Sequence, residues 1–500
     1  MRILTNQQMR MADEYTINVL GVPSLELMER AGRALAKEAE TLAPNGRVLC
    51  VCGGGNNGGD GFVCARILKT DGWEVDVVFF AERISKDCLV NKEKWTEIGG
   101  AILSETPKKG YALVVDCLVG TGLKGALIGK NAEAVEGMNA LKKQGAKVLS
   151  ADIPSGLCGD NGLAYGTCVC ADVTLCIGEI KAGTALADGL DCAGEVKCVD
   201  IGICLTEESY AERLTKEKAA LLLPTRKRNS HKGTYGKAAI VAGSVEYTGA
   251  AYLSAAACLR SGAGYTTLFV PSGILPCYLL KAPEILLKST NEGGRYEFNE
   301  ENMRSLLGYN AVAYGMGMGI SEEVAKGAEF LLRHYEGKLI LDADGLNSLA
   351  AFRAAELADL FENKKCDVIC TPHGKEFSRL SGMDMQEIVE NGLFAATGFA
   401  KTHSVNLLLK NAATIITDGE RICVNTAGSS GQAKGGSGDV LAGVLAGLCA
   451  MGMTAFDGGC LAAYLCGKSA EIAAARIGEY SLTATDIIGC LGEAFLSLKV

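Results

Sequence analysis

Two series of short, β-branched runs, each alternating with helical stretches, constrain the fold of this chain more than any single motif. From Gly46 to about Ile203 the runs are RVLCVC, EVDVVFF, ALVVDC, KVLSADI, DVTLCI and EVKCVDI. A second series starts at KAAIVAG, residues 237–243, and continues through YTTLFV, AVAYG, KLILDAD, DVICTP and VNLLLK, with a helical stretch from Gly249 to Ser261 between its first two runs. Strands alternating with helices predict parallel sheets, so the fold class is α/β with two separate sheets. Between the series, LLLPTRKRNSHKG (221–233) breaks the apolar pattern with Pro224 and a cluster of Arg and Lys. The division is expected near residue 215, giving domains 1–214 and 215–500. A chain of 500 residues is also too long for one core, since single cores stop growing at roughly 250–300 residues.

A net charge of -9 argues against a broad electropositive face for nucleic acid or an anionic membrane, so any phosphate must be held locally. The 63 Gly against 9 Pro point to close backbone approaches rather than Pro-rich disorder. Arg10, Asp13 and Glu14 interrupt the stretch where a secretory signal would lie, and a cytoplasmic location is expected. The 21 cysteines are scattered through apolar runs and read as reduced core residues; Cys168 and Cys170 form a C-x-C pair with no zinc-site partner spacing. Val440–Phe456 carries no charge for 17 residues and holds a G-x-x-x-G at Gly443 and Gly447. A membrane helix is the rival reading. The run is short of the ~20 residues a span needs and follows a polar glycine loop, so a buried core helix is expected.

After RVLCVC comes Gly53-Gly54-Gly55-Asn56-Asn57-Gly58-Gly59-Asp60-Gly61, then the helical FVCARILKT. Strand, glycine turn and helix N-terminus make an anion-binding geometry. No G-K-[ST] follows, so this is not a P-loop. Asp116 and Asp152 end two further runs, the second before Ile153-Pro154-Ser155-Gly156. In a parallel sheet these ends open onto one crevice, where Asn57, Asp116 and Ser155 could meet around a hard cation. The plainer reading is that they cap helices and turns. All four histidines lie beyond residue 230, so proton transfer in the first domain falls to a carboxylate, with Asp152 the candidate acid/base and Asp60 the reserve.

In the second domain Ala433-Lys434-Gly435-Gly436-Ser437-Gly438-Asp439 runs into an apolar helix. Successive N–H groups there would stabilise phosphoryl oxygens, with Asp439 where a substrate hydroxyl approaches. The helix dipole is expected to hold Asp439 ionised, a weak base; a simple N-cap is the alternative.

The order LTNQQMRMADEY, LMERAG, NNGGDG, DCLVGTGL and DIPSGL across residues 1–210 resembles the NAD(P)H-hydrate epimerases. The resemblance implies a Rossmann-like three-layer domain that interconverts the C6 epimers of hydrated NADH or NADPH. Asn56, Asn57, Gly58, Gly59 and Asp60, the loop Gly120, Thr121, Gly122, Leu123, Lys124, Gly125 and Ala126, and Asp152 would contact the hydrate. Asn57, Asp116 and Ser155 would bind potassium. SHKGTYGKAAIVAGS, YTGAA, LDADGLN, TPHGKEFSRL and GQAKGGSGDVLAG resemble the ADP- or ATP-dependent NAD(P)H-hydrate dehydratases, of ribokinase-like fold. That likeness implies hydrate contacts at Ala250, Gly317, His373 and Asp439, and nucleotide contacts at Lys410, Asn411, Ala412, Ala413, Thr414 and Gly438. ADP, with ATP as the alternative, is the expected co-substrate, accompanied by magnesium, and a homo-oligomer the expected assembly. Two departures stand out: Met316 and Gly374 replace family prolines, which predicts more mobile loops there. The rivals are a small-molecule kinase of the same fold, and a first domain that binds cofactor without turnover.

Overall fold

The computed structural model describes all residues except 207–210, 282 and 500. It forms two compact units, Met1–Glu212 and Arg213–Val500.

The first unit is built on a parallel sheet in the order Ile102–Leu103, Val75–Phe80, Val48–Gly53, Leu113–Cys117, Lys147–Ala151, Val173–Ile177, Glu195–Val199. The central strands Val48–Gly53 and Leu113–Cys117 are wholly buried because helices cover both faces, and Asp116 is their one charged residue. The chain reverses its direction of growth between these two strands, and the crevice outside their carboxyl ends is where an open α/β sheet binds ligands. Gly53 must be glycine, since a Cβ there would lie 1.9 Å from the Leu118 carbonyl oxygen. This close approach draws the two strand-end loops together. A short pairing absent from the expected runs matters for the site: Arg2–Leu4 runs parallel to Ile180–Lys181, with Leu4 opposite Lys181. Helix Asn6–Asn18 follows at once, started by a capping box in which the Gln8 N–H donates to Thr5 Oγ1 (3.2 Å) and the Thr5 N–H to Gln8 Oε1 (3.0 Å).

Among the described residues the second unit carries nine strands in the order Leu286–Ser289, Tyr265–Val270, Lys237–Val241, Ala311–Tyr314, Lys338–Leu341, Asp367–Cys370, Asn406–Leu409, Thr414–Thr417, Ile422–Asn425. The first seven are parallel and the last two antiparallel. The six expected runs of the second series all lie on strands, and Leu286–Ser289, which no pattern announced, is the edge. The charge-free stretch resolves into helix Ser437–Ala450, a turn, and the start of helix Ala455–Ile477. Every residue from Val440 to Ala450 is buried, which is why the helix is apolar all round. No described helix is long and apolar enough to cross a membrane.

Gly443 lets this helix approach Thr248–Arg260, because a Cβ would sit 2.1 Å from the Ser254 carbonyl oxygen and 2.9 Å from Ala257 Cβ. Gly443→Val should therefore destabilise the second unit by about 1–3 kcal/mol or more through overpacking. Denaturant unfolding of the full chain checks this, with the transition of the first unit expected to stay in place.

Candidate active sites

In the first unit a cavity of about 590 Å³ opens at the strand ends. Asn56, Asn57, Asp60, Gly120, Thr121, Gly122 and Asp152 all line it. Thr121, Gly122, Leu123 and Lys124 also line a second cavity of about 510 Å³. Gly58 and Gly59 lie buried in the first turn of helix Asn56–Thr70, and Gly125 and Ala126 line neither cavity.

Asp116 is fully buried. Its carboxylate accepts hydrogen bonds from Ser155 Oγ (2.6 Å), the Ser155 N–H (2.8 Å), Ser150 Oγ (2.9 Å) and the Leu118 N–H (3.3 Å). Burial pushes its pKa up against these bonds. Ser155 Oγ also accepts from the Val119 N–H at 2.9 Å and lies 3.1 Å from the Val119 carbonyl oxygen. The next residue, Gly120, brings its backbone against Asn57, whose Cβ would be 3.4 Å from a Cβ at Gly120. Both polar atoms of the Asn57 amide are buried without a partner. A buried polar atom left unpaired costs about 1–3 kcal/mol, so the position calls for a ligand.

Asp152 follows strand Lys147–Ala151 in a left-handed conformation, φ 68°, a strained geometry that recurs at functional sites. It accepts from the Ile177 N–H at 3.0 Å and is ion-paired to Lys181. Lys181 is 1% exposed and also donates to the Ile177 carbonyl at 2.5 Å. Two further carboxyls face this pair in the same cavity. Burial pushes the Asp60 carboxyl well above the usual carboxylate range, with Asp152 and Asp13 adding repulsion against the attraction of Lys181. Burial pushes Asp13 up to about 6, opposed by Lys181 and reinforced by Asp152 and Glu14. Asp13 and Lys181 escaped the sequence reading. Asp13 sits mid-helix with no motif spacing, and Lys181 reaches Asp152 only through the strand pairing that fixes its register.

In the second unit Asp439 occupies the first turn of helix Ser437–Ala450. The expectation that the dipole keeps it ionised is corrected: burial raises its pKa to about 7, with repulsion from Asp342, Asp344 and Glu376 outweighing the attraction of Lys410. Half a unit charge at a helix end is the smaller effect when a carboxyl is desolvated beside other carboxyls. Lys410 Nζ lies 2.7 Å from Asp342 Oδ1 and 3.9 Å from Glu376 Oε2. A side chain at Gly438 would begin 3.4 Å from that ammonium. The Lys410 charge thus sits beneath the glycine loop, while Asn411 is exposed, Ala413 buried and Thr414 opens a strand. His373 caps helix Gly374–Ser381, its Nδ1 accepting from the Lys375 N–H at 3.1 Å. Its backbone N–H donates to Glu376 at 2.9 Å, and Lys410 N–H to the Pro372 carbonyl at 2.8 Å, which gathers His373, Glu376 and Lys410. Gly317, φ +63°, packs against Ala250 and Tyr247, where a Cβ would be 2.8 Å from each. The Met316 loop is pinned: Met316 is buried, its carbonyl accepts from the Gly243 N–H at 2.8 Å, and the Gly319 N–H donates to Asp344 at 2.8 Å. Asp342 ends a strand just as Asp116 and Asp152 do, so the strand-end rule applied to LDADG reaches it as well.

The 21 cysteines are free, and no described group of three or more His, Cys, Asp or Glu is arranged to hold a metal.

A sheet switch point with a glycine loop and buried carboxyls in one unit, and a glycine loop beside a lysine-carboxylate cluster in the other, define a two-unit α/β protein with a candidate site in each unit. Residues 238–491 match the NAD(P)H-hydrate dehydratase family, and residues 24–183 the family described as YjeF-related protein N-terminus. The chain is 33% identical to the bifunctional NAD(P)H-hydrate repair enzyme Nnr of Moorella thermoacetica, covering 100% of this chain and 97% of that one. It is 29% identical to the Nnr of Escherichia coli K12, over 96% and 92%. The ADP/ATP-dependent NAD(P)H-hydrate dehydratase of Bacillus subtilis, co-crystallised with ATP/Mg2+, superposes with a TM-score of 0.51 at 26% identity, over 58% of this chain and 99% of that one. The chain belongs to the bifunctional NAD(P)H-hydrate repair enzymes.

Among the described residues Lys181 is the one cation paired with Asp152, and removing it leaves that carboxyl beside Asp13 and Asp60. Lys181→Met should cost about 3–5 kcal/mol, read as a lowered unfolding midpoint of the first unit at neutral pH, partly restored by adding Asp152→Asn.

Proposed function

We propose that the first unit interconverts the C6 epimers of hydrated NADH and NADPH, and that the second dehydrates the S epimer with ADP, or ATP in its place. The observation that carries the second half is Asp439, poised near neutrality at the foot of the glycine loop and beside the Lys410 cluster. Hydroxide is a poor leaving group from C6. Asp439 takes the hydroxyl proton as that oxygen attacks the terminal phosphorus of the nucleotide, and the phosphoryl group passes to the substrate, leaving AMP from ADP. The glycine-loop N–H groups hold the transferring oxygens. The N1 lone pair then expels phosphate, and loss of a proton from C5 restores the reduced ring. Magnesium would travel with the nucleotide phosphates.

In the first unit the hydrated ring belongs beside Asp152 and Asp60. The second cavity offers Arg10 and Lys124, cations suited to the substrate's phosphates in a chain of negative net charge. The orphaned Asn57 amide, the Ser155 hydroxyl, the Val119 carbonyl and the Asp116 carboxylate are all oxygen donors, a set that suits potassium. A bound potassium would supply fixed positive charge. These residues, for their part, hold the Gly120 loop against helix Asn56–Thr70. Cytoplasmic work as a homo-oligomer completes the reading.

Dehydration of hydrated NADPH, followed by recovery of near-ultraviolet absorbance, should require added nucleotide. Its rate should rise with pH through about 7, because a carboxyl whose pKa is raised there is protonated, and useless as a base, below it. Asp439→Asn should lower it by about 10²–10⁴-fold and leave epimerisation intact; full dehydration by that variant would sink the assignment. Epimerisation should run faster in potassium than in tetramethylammonium salts, and Asn57→Ala should erase that difference.

A further inference from the structure

The first cavity contains more carboxyls than one acid–base residue needs. Leu4 pairs with Lys181 across the short parallel ladder, and the helix that begins two residues later carries Asp13 into the cavity that Asp60, Asp152 and Lys181 also line. Asp152 is committed to the Lys181 ammonium. The charged and titratable groups that face Asp13 are Lys181, Asp152, Glu14 and Asp60. Met9 and Ile17, on the same helix, and Leu27 add apolar surface to the cavity wall. Lys181 thus faces three aspartates of the cavity wall, Asp13, Asp60 and Asp152, and burial with mutual repulsion pushes Asp13 and Asp60 above the usual carboxylate range.

Inverting C6 needs such a cluster. The N1 lone pair can expel the hydroxyl only if that oxygen gains a proton, which gives water and a planar N1=C6 iminium. Water then adds to the other face and must lose a proton. One proton is given and one is taken, with no oxidant or reductant. A single carboxylate paired to lysine supplies only half of this.

We propose that Asp13 is the second catalytic residue of the epimerase, giving a proton to the hydroxyl that leaves one face while Asp152 accepts one from the water that adds to the other. The two exchange roles for the opposite epimer, and proton exchange with solvent resets the pair. Asp13 comes from a helix and Asp152 from a strand end, so the ring can lie between groups from different walls of the cavity. The pair works while it holds one proton between its members. Since Asp13 is pushed up to about 6, that proton is progressively lost above this pH.

The inference rests on the epimerase reading, and one experiment separates them. Epimerisation of hydrated NADPH by the full chain is followed by chromatography from pH 5 to 9, with the uncatalysed rate subtracted. No wild-type rate at any pH would remove the epimerase reading itself. With a wild-type rate present, kcat/KM should decline on the alkaline side. Asp13→Asn should lose that decline and at least 100-fold in kcat, with KM within about threefold. Asp13→Glu should keep activity with the decline displaced. Asp13→Asn with kcat within threefold of wild type and the same profile would overturn the proposal. If Asp13→Asn fails to fold, Asp13→Glu decides alone: a displaced decline supports the assignment, and an unmoved profile overturns it.

Discussion

In each unit one lysine ammonium lies against a strand-end aspartate, Lys181 on Asp152 and Lys410 on Asp342, and in each unit further carboxyls crowd the same charge. A lysine withdrawn from water requires a negative partner, and one partner is enough. Every additional buried carboxyl must then choose between costly ionisation and holding a proton near neutral pH. Burial first, and then this repulsion, raises Asp60, Asp13 and Asp439 above the usual carboxylate range in both sheets.

The sheets provide the places where such crowding can occur. Parallel strands deliver their carboxyl ends to one edge, so Gly53, Asp116 and Asp152 in the first unit, and Asp342 and Pro372 in the second, arrive at a common level without any sequence proximity. Glycine then lets backbones close on one another. Gly53 accepts the Leu118 carbonyl, and Gly443 accepts the helix that carries Ala250. The helix behind Asp439 is rigidly packed because its first buried turn begins immediately after the aspartate, so the carboxyl cannot retreat into solvent without moving the core.

The proline losses show the limit of arguing from local stiffness. Met316 adds conformational freedom to the unfolded chain, yet its side chain is buried and its carbonyl is bonded to Gly243. Side-chain burial and a cross-strand hydrogen bond act on the folded loop, where φ restriction would otherwise act. Gly374 opens a helix whose N-terminus His373 and Glu376 already cap reciprocally.

Periodicity alone determined the two sheets, nearly all of their central strands, and the burial of the apolar helix after Asp439, because these depend on residues close in sequence. Motif order determined the family, and strand-end position pointed to Asp116 and Asp152. Tertiary structure decided which charges meet. The register of Leu4 against Lys181 brings Asp13 to a lysine 168 positions away, and burial beside Asp342, Asp344 and Glu376 raises the Asp439 carboxyl to about 7, where its helix position alone predicted an ionised group. Proton affinity is set by burial and by every charge within a few ångströms, and neither quantity exists until the chain has folded.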